Sequence, residues 1–275
     1  MTSPQSLNYL ITGAGRGIGR GLTRILLSTG NRVFLIDNNK AELDNTLNLA
    51  ATWSQTTSKN ALPAYQGALV DLSKRSEMKK AMEKVDKFFK GRLNVLVNNA
   101  MATPHVWSDG KSMADDVLDE WNAKIAVGLT APFVLSHLCI PLLHDTKQTG
   151  EPACIVNMSS TRATQAELNH EGYSAVKAGL LGLSQSMAMS LGTIGVRVNT
   201  IVPGWINVEN ECLGADEKGI GWNETREDKE WHPAGRVGRV EDVAKALNYL
   251  VQSDFVTGEE LVVSGGVERK MVYPE

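Results

Sequence analysis

Short apolar runs alternate with amphipathic stretches along nearly the whole chain. Leu7–Thr12 is apolar and ends at Gly13, and Arg20–Thr29 then carries Leu22, Ile25 and Leu26 at helical spacing before Gly30. Arg32–Ile36 is a continuous apolar run bounded by Asp37-Asn38-Asn39. The pattern predicts a helix through residue 53, a strand at Ala64–Val70, a charged helix to Lys90 and a strand at Leu93–Val97. A polar loop with one proline leads into a long helix, about 114–137. Ala153–Met158, a helix over about 172–192 and Val196–Val202 repeat the unit. Strands that are apolar throughout, rather than alternately, are buried on both faces, which marks a parallel sheet between helical layers. Repeated βαβ units with right-handed crossovers give an α/β fold with a doubly wound parallel sheet. No linker or shift of composition divides the chain, so 1–275 reads as one domain.

The rhythm lapses between Trp205 and Trp231. No strand or clear helix is expected there, and eight acids (Glu209, Glu211, Asp216, Glu217, Glu224, Glu227, Asp228 and Glu230) stand against Lys218, Arg226 and Lys229. A loop this long is either a lid or a solvated insertion. Trp205, Trp222 and Trp231 favour a lid over 205–232, because large apolar rings are costly to leave in water.

Two constellations carry chemistry. The first is Thr12-Gly-Ala-Gly-Arg-Gly-Ile-Gly19, where the first strand meets the first helix. Gly13, Gly17 and Gly19 allow a tight turn, a close approach to a pyrophosphate and close packing of helix on strand. The helix N-terminus, entered through Arg16 and Ile18, offers N–H groups to the phosphates. Asp37 follows 18 residues after Gly19, near the position of a carboxylate that accepts ribose hydroxyls. These features predict a dinucleotide-binding Rossmann fold. Asp37 repels a 2′-phosphate and favours NAD, whereas Arg16 could pair with that phosphate and leaves NADP open.

The second is Tyr173-Ser-Ala-Val-Lys177, which opens a helix, with Ser159-Ser160 at the end of the preceding strand. Positions i and i+4 share a helix face, so the phenol and the ammonium can enter one pocket. A nearby cation is expected to lower the tyrosine pKa from about 10 and make it an acid–base group. Ser160 could donate to a carbonyl oxygen that develops negative charge.

Composition excludes other classes. The chain has 275 residues, 42% hydrophobic, with 28 Lys+Arg against 31 Asp+Glu. A net charge of −3 gives no footprint for nucleic acid or an anionic membrane. No signal-like N-terminus and no apolar run of 18 residues is present, so no membrane association is expected. Cys139, Cys154 and Cys212 lack metal-ligand spacing, so no metal site is expected and a reducing, cytoplasmic location is.

With these motifs in order over essentially the whole length, the sequence resembles the short-chain dehydrogenase/reductase family. The resemblance implies that residues 12–19 form the cofactor turn, that Asp71 and Leu72 contact the adenine, and that Asn98-Asn99-Ala100 corresponds to the NNAG motif with Asn98 at the cofactor. Ala100, Pro203, Gly204 and Ile206 fall at cofactor-contacting positions, and Ser160, Tyr173 and Lys177 at the catalytic ones. It further implies a seventh strand at about Glu260–Val263 and a homodimer or homotetramer built through the long helices and the C-terminal edge.

Four positions depart from the family pattern. NNAG ends in Met101, Val208 replaces a threonine, Ser264 replaces an aspartate in Val263-Ser-Gly-Gly266, and Gly128 stands where the family has a relay asparagine. Asn122 lies about 9 Å along the helix and roughly 240° around it, so it is no substitute. The expected function is NAD(P)-dependent interconversion of an alcohol and a ketone or aldehyde, on a small or medium and fairly apolar substrate. Trp107, Trp205 and Trp222 would wall the pocket, or else pack the lid, and His105 in the loop 101–110 is either an extra acid–base group or a packing residue. The departures keep two alternatives open: a non-redox isomerase or cyclase, and a weakly active cofactor-binding protein.

Overall fold

The computed structural model describes residues 6–54, 62–143, 150–219 and 222–271. In chain order its elements are β1 (Asn8–Thr12), α1 (Gly17–Ser28), β2 (Arg32–Asp37), α2 (Lys40–Trp53), β3 (Tyr65–Leu69), α3 (Arg75–Phe89) and β4 (Val95–Asn98). Then come α4 (Leu118–Ile125), α5 (Ala131–Cys139), β5 (Cys154–Met158), α6 (Glu171–Gly192) and β6 (Arg197–Pro203). The last are β7 (Ile206–Asn207), α7 (Leu213–Lys218), α8 (Arg226–Trp231), β8 (Gly238–Arg239), α9 (Val240–Gln252) and β9 (Glu260–Val263).

Seven strands form one parallel sheet in the order β3-β2-β1-β4-β5-β6-β9. Side chains along each inner strand leave in opposite directions, and both directions meet a helix layer. Tyr9, Ile11, Val33 and Leu35 pack with Leu22 and Leu27 of α1 and Val243, Leu247 and Leu250 of α9. Leu10, Phe34, Ile36 and Leu96 face Val85 and Phe89 of α3, Leu135 of α5 and Met187 of α6. This two-sided burial is why the strands read as unbroken apolar runs.

The strand order reverses direction between β1 and β4, and the two halves are stapled where they part. Thr12 Oγ1 accepts from the Asn99 and Ala100 amides, at 3.0 Å each. Asn99 Nδ2 donates to Thr12 O (3.0 Å) and Gly13 O (3.1 Å). A crevice at the carboxyl ends of the strands, at this switch point, is the ligand position in such sheets.

Two expectations need correction. The helix expected at 114–137 begins at Leu118 and is interrupted by one wide π turn, Ala126–Thr130, with Gly128 buried inside it. The run Leu118–Leu142 is long and apolar enough to cross a membrane by length and composition, although Ala131, Leu135 and Cys139 are buried in the core beneath the sheet. The segment between Trp205 and Trp231 is not irregular. It holds β7, paired with β8, and the short helices α7 and α8, with residues 220–221 outside the described part.

Candidate active site

The glycine turn takes its shape from backbone requirements. Gly13 and Gly17 have φ of +64° and +63°, in the left-handed region. A Cβ on Gly19 would fall 2.1 Å from Gly13 O, so only glycine lets α1 start this close to β1. Asp37, buried at the end of β2, braces the turn: its Oδ2 accepts from the Gly15 amide (2.8 Å) and its Oδ1 from the Asn39 amide (2.8 Å). No side chain caps α1, which leaves first-turn N–H groups for an anion.

These residues open into a cavity of about 1170 Å³. Gly13, Arg16, Gly17, Ile18, Asp37, Asp71, Leu72, Ala100, Ser160, Tyr173, Lys177, Pro203, Gly204 and Ile206 all line it. Two of the residues singled out from sequence do not. Gly19 is used in helix–strand packing. Asn98 is turned into the interior, where its Nδ2 donates to Asn157 Oδ1 (2.8 Å) and Ser136 Oγ (3.3 Å). Asn99, one position later and on the other side of the strand, reaches the cavity instead. A strand alternates its side chains, so the doubled asparagine left the choice of face open.

Tyr173 and Lys177 lie one helical turn apart on α6. The Lys177 ammonium is buried, donates to Met158 O at 2.7 Å, and stands 5.4 Å from the centre of the Tyr173 ring. Burial lowers its pKa to about 8. Ser160 beside the Tyr173 phenol lowers its pKa, yet burial outweighs this and holds it above the ordinary value. The expected depression by Lys177 is therefore absent from this state. Desolvation disfavours phenolate, and the ammonium is committed to a carbonyl beneath the ring.

The loop before α4 forms one wall, and its anchors come from far along the chain. Buried Lys124 donates to Pro104 O (2.5 Å) and Val106 O (3.3 Å). Trp107 is 3% exposed, with its indole N–H on Glu171 Oε2 (2.8 Å). Arg16 reaches Thr103 Oγ1 at 3.2 Å. Of the three tryptophans expected in the pocket, only Trp205 lines it. Trp107 packs under the loop, Trp222 stacks edge-on against Trp205 (6.2 Å), and Trp231 is the second ring at the cavity.

The opposite wall is the acidic segment, docked on α1 and α2. Glu211 and Asp216 pair with Arg20 (3.3 and 2.7 Å), and Glu211 also pairs with Arg24 (2.6 Å). The Leu213 amide donates to Glu42 Oε2 (2.8 Å), and the Gly17 amide donates to Glu211 O (2.7 Å). Acids that looked solvated in the sequence thus hold this segment down.

Two departures from the family pattern find local reasons. Ser264 Oγ accepts from the Gly266 amide (3.1 Å) and bonds Glu268, which secures the turn after β9. Met101 and Gly128 meet: a Cβ at 128 would lie 2.6 Å from Met101 Sδ and 2.5 Å from Val176 Cγ1. The thioether fills space that any side chain at 128 would need.

Comparisons with known proteins identify the family. The family model described as enoyl-(acyl carrier protein) reductase matches residues 13–268. An uncharacterized oxidoreductase of Thermotoga maritima is 32% identical over 97% of both chains. A 3-oxoacyl-[acyl-carrier-protein] reductase of Salmonella typhimurium is 28% identical over 94% of this chain and 96% of its own. An apo SCOR enzyme from Clostridium thermocellum superimposes with a TM-score of 0.77 at 32% identity, covering 98% of this chain and 96% of that one. A 3-ketoacyl-(acyl-carrier-protein) reductase from Brucella melitensis, solved with NADH, gives 0.77 at 23% identity, over 96% and 99%. The chain is an oxidoreductase that belongs to the short-chain dehydrogenase/reductase family, whose members use NAD(P).

Proposed function

We propose that the protein reduces a ketone or aldehyde of small or medium size with NADH. The observation that carries this reading is Tyr173 with Ser160 beside it and Lys177 beneath its ring, all three lining the same cavity as the glycine turn. The turn, with Gly13, Gly17 and the Ile18 amide, would hold the pyrophosphate, and the space beside Gly19 and Gly13 has no room for a side chain there. Asp37 would meet the ribose, and its charge, with Glu42 next to it, favours NAD over NADP. Asp71 and Leu72 would border the adenine, and Pro203, Gly204 and Ile206 the nicotinamide end. When bound, the nicotinamide supplies or accepts the hydride.

Ser160 Oγ orients the carbonyl oxygen and Tyr173 Oη holds the proton it receives. Because burial keeps the phenol protonated at neutral pH, the resting site is set for reduction. Lys177, with one donor on Met158 O, has two N–H groups left for ribose hydroxyls. Segment 205–232 serves as a lid, tied to α1 through Arg20 and Arg24. The exposed apolar side chains of α4, α5 and α6 (Trp121, Phe133 and Met189) fit a homodimer or homotetramer interface.

The test is NADH oxidation over a panel of carbonyl compounds by wild type and Tyr173→Phe. The variant is expected to lose 10²–10⁴ in turnover. Unchanged turnover would remove the mechanism. Product formation without NADH consumption would favour an isomerase instead.

A further inference from the structure

His105 faces the reacting phenol, and no step described so far uses it. Its ring centre lies 4.5 Å from that of Tyr173, with 34° between the planes, so the imidazole lies partly over the phenol. The stack explains why the ring stays at the site but leaves its nitrogens free. Among the described residues neither nitrogen has a hydrogen-bond partner, and the ring remains exposed to the cavity. The chain holds it there firmly. Lys124 ties the carbonyls on either side, at Pro104 and Val106, and Trp107 two residues on is buried.

The groups around His105 are cationic or neutral. Burial, Lys177, His170, Lys124 and Arg16 all hold its pKa below the ordinary value, so at neutral pH the ring is a neutral imidazole. A neutral imidazole offers one N–H and one lone pair, which suits a hydroxyl or a second carbonyl and gives a carboxylate no charge to pair with. His170 stands on the other side of Tyr173, with ring centres 6.1 Å apart. Its Nδ1 is bonded to Leu168 O (3.0 Å), and its Nε2 lies 3.9 Å from Glu167 Oε2. Arg162 is taken up by Glu167. Among the described residues, His105 is thus the ring in contact with the phenol whose nitrogens have no hydrogen-bond partner within the protein.

We propose that His105 is a substrate-contact residue that hydrogen-bonds an oxygen on the carbon adjacent to the reacting carbonyl, so that the substrate class is α-hydroxy or α-dicarbonyl ketones, with vicinal diols as their reduced forms. Oxygens on adjacent carbons lie about a hydrogen-bond length apart. A ligand whose carbonyl meets Tyr173 thus brings its second oxygen toward the edge of the neighbouring imidazole, where the nitrogens are. The proposal rests on the reductase reading above. It also replaces the fairly apolar substrate expected from the tryptophans, since Trp107 and Trp222 do not line the cavity.

The experiment compares 3-hydroxybutan-2-one with butan-2-one, two probes that differ by one hydroxyl. In wild type, kcat/KM for the hydroxyketone is expected to exceed that for the ketone by about tenfold, the upper end for one neutral hydrogen bond. His105→Phe keeps the stack and removes both nitrogens, and should bring the ratio to within about twofold of one. His105→Gln, which keeps a donor and an acceptor, should restore part of it. A wild-type ratio near one, or a ratio unmoved by His105→Phe, overturns the proposal. A second measurement is independent of turnover: the His105 ring resonances, assigned by their loss in His105→Phe, are titrated with each probe in the presence of ADP-ribose, which has no nicotinamide and so allows no hydride transfer. The hydroxyketone should shift them at a lower concentration than the ketone, and equal or absent shifts overturn the proposal. Failure of the reductase reading is separable, because Tyr173→Phe would then leave turnover of both probes unchanged.

Discussion

The cavity has two walls built on opposite principles. Loop 101–107 is held mainly by shape and by backbone contacts, with one carboxylate: a buried indole on Glu171, a lysine on two carbonyls, and a methionine wedged under the helix. Segment 208–218 is held by carboxylates on arginines, with few apolar contacts of its own: α7 contributes no buried residue. The first kind of wall can be removed only by disturbing the core. The second can come away as a unit while the sheet stays intact, as suits a segment that covers a cofactor site.

The largest effect is expected at Trp107. Trp107→Ala deletes a 3% exposed indole, leaves Glu171 without its donor and opens a cavity against Gly172. Global stability should fall by about 3–5 kcal/mol in urea unfolding. A loss below about 1 kcal/mol would show that the loop is a loosely attached wall after all.

Arg20→Ala should act locally instead. It leaves Asp216 with Asn45 alone and Glu211 with Arg24 alone, so the loss sits at the lower end of the 3–5 kcal/mol typical of a broken buried pair. Amides of 208–218 should then exchange about 10²-fold faster, while those of 101–107 stay as in wild type. Equal acceleration in both walls would erase the distinction between them.

How far each wall was legible in the sequence follows from the same difference. The strands, the glycine turn and the Tyr173–Lys177 pair are set by spacing within one or two elements, and β9 falls at Glu260–Val263 as the resemblance implied. The walls are set by contacts across the chain. Trp107 meets Glu171 64 positions away, and Arg20 meets Asp216 196 positions away. No local pattern announces such pairs, so the sequence left Trp107 between pocket wall and packing, and favoured a lid without showing that its acids would hold it. One local signal was present and missed: Thr225 and Asp228 form the reciprocal cap that starts α8.

A smaller effect is expected where the first wall passes under the site. Gly128→Ala places a methyl within 2.6 Å of Met101 Sδ and 2.5 Å of Val176 Cγ1. Overpacking of this kind costs about 1–3 kcal/mol. Met101→Ala in the same chain should recover part of it, because the thioether clash is removed while the one with Val176 Cγ1 remains. Additive losses in the double variant would mean that the two departures are unrelated. The same clash means that an asparagine restored at 128 alone would test strain before it tested proton supply.

The smallest effect, and the one that separates the walls without mutation, is their response to acid. Asp216 has its pKa depressed from 3.8, first by its hydrogen bond to Arg20 and then by Asn45 and the charge of Arg20. A depressed carboxyl contributes its full stabilisation above the undocked value and loses it as pH falls through the docked one. Protection of the 208–218 amides should therefore be flat from neutral pH down to about 5, once the intrinsic pH dependence of exchange is removed, and should decline by a few-fold below about 4. Loop 101–107 should not follow within this window. Lys124 ties the loop to two backbone carbonyls, which do not titrate, and the Trp107 ring holds it by burial, so the loop does not rest on the Asp216 carboxylate. Loosening of both walls together at the same pH would mean that the acid acts on the core they share and not on the carboxylate that ties down one of them.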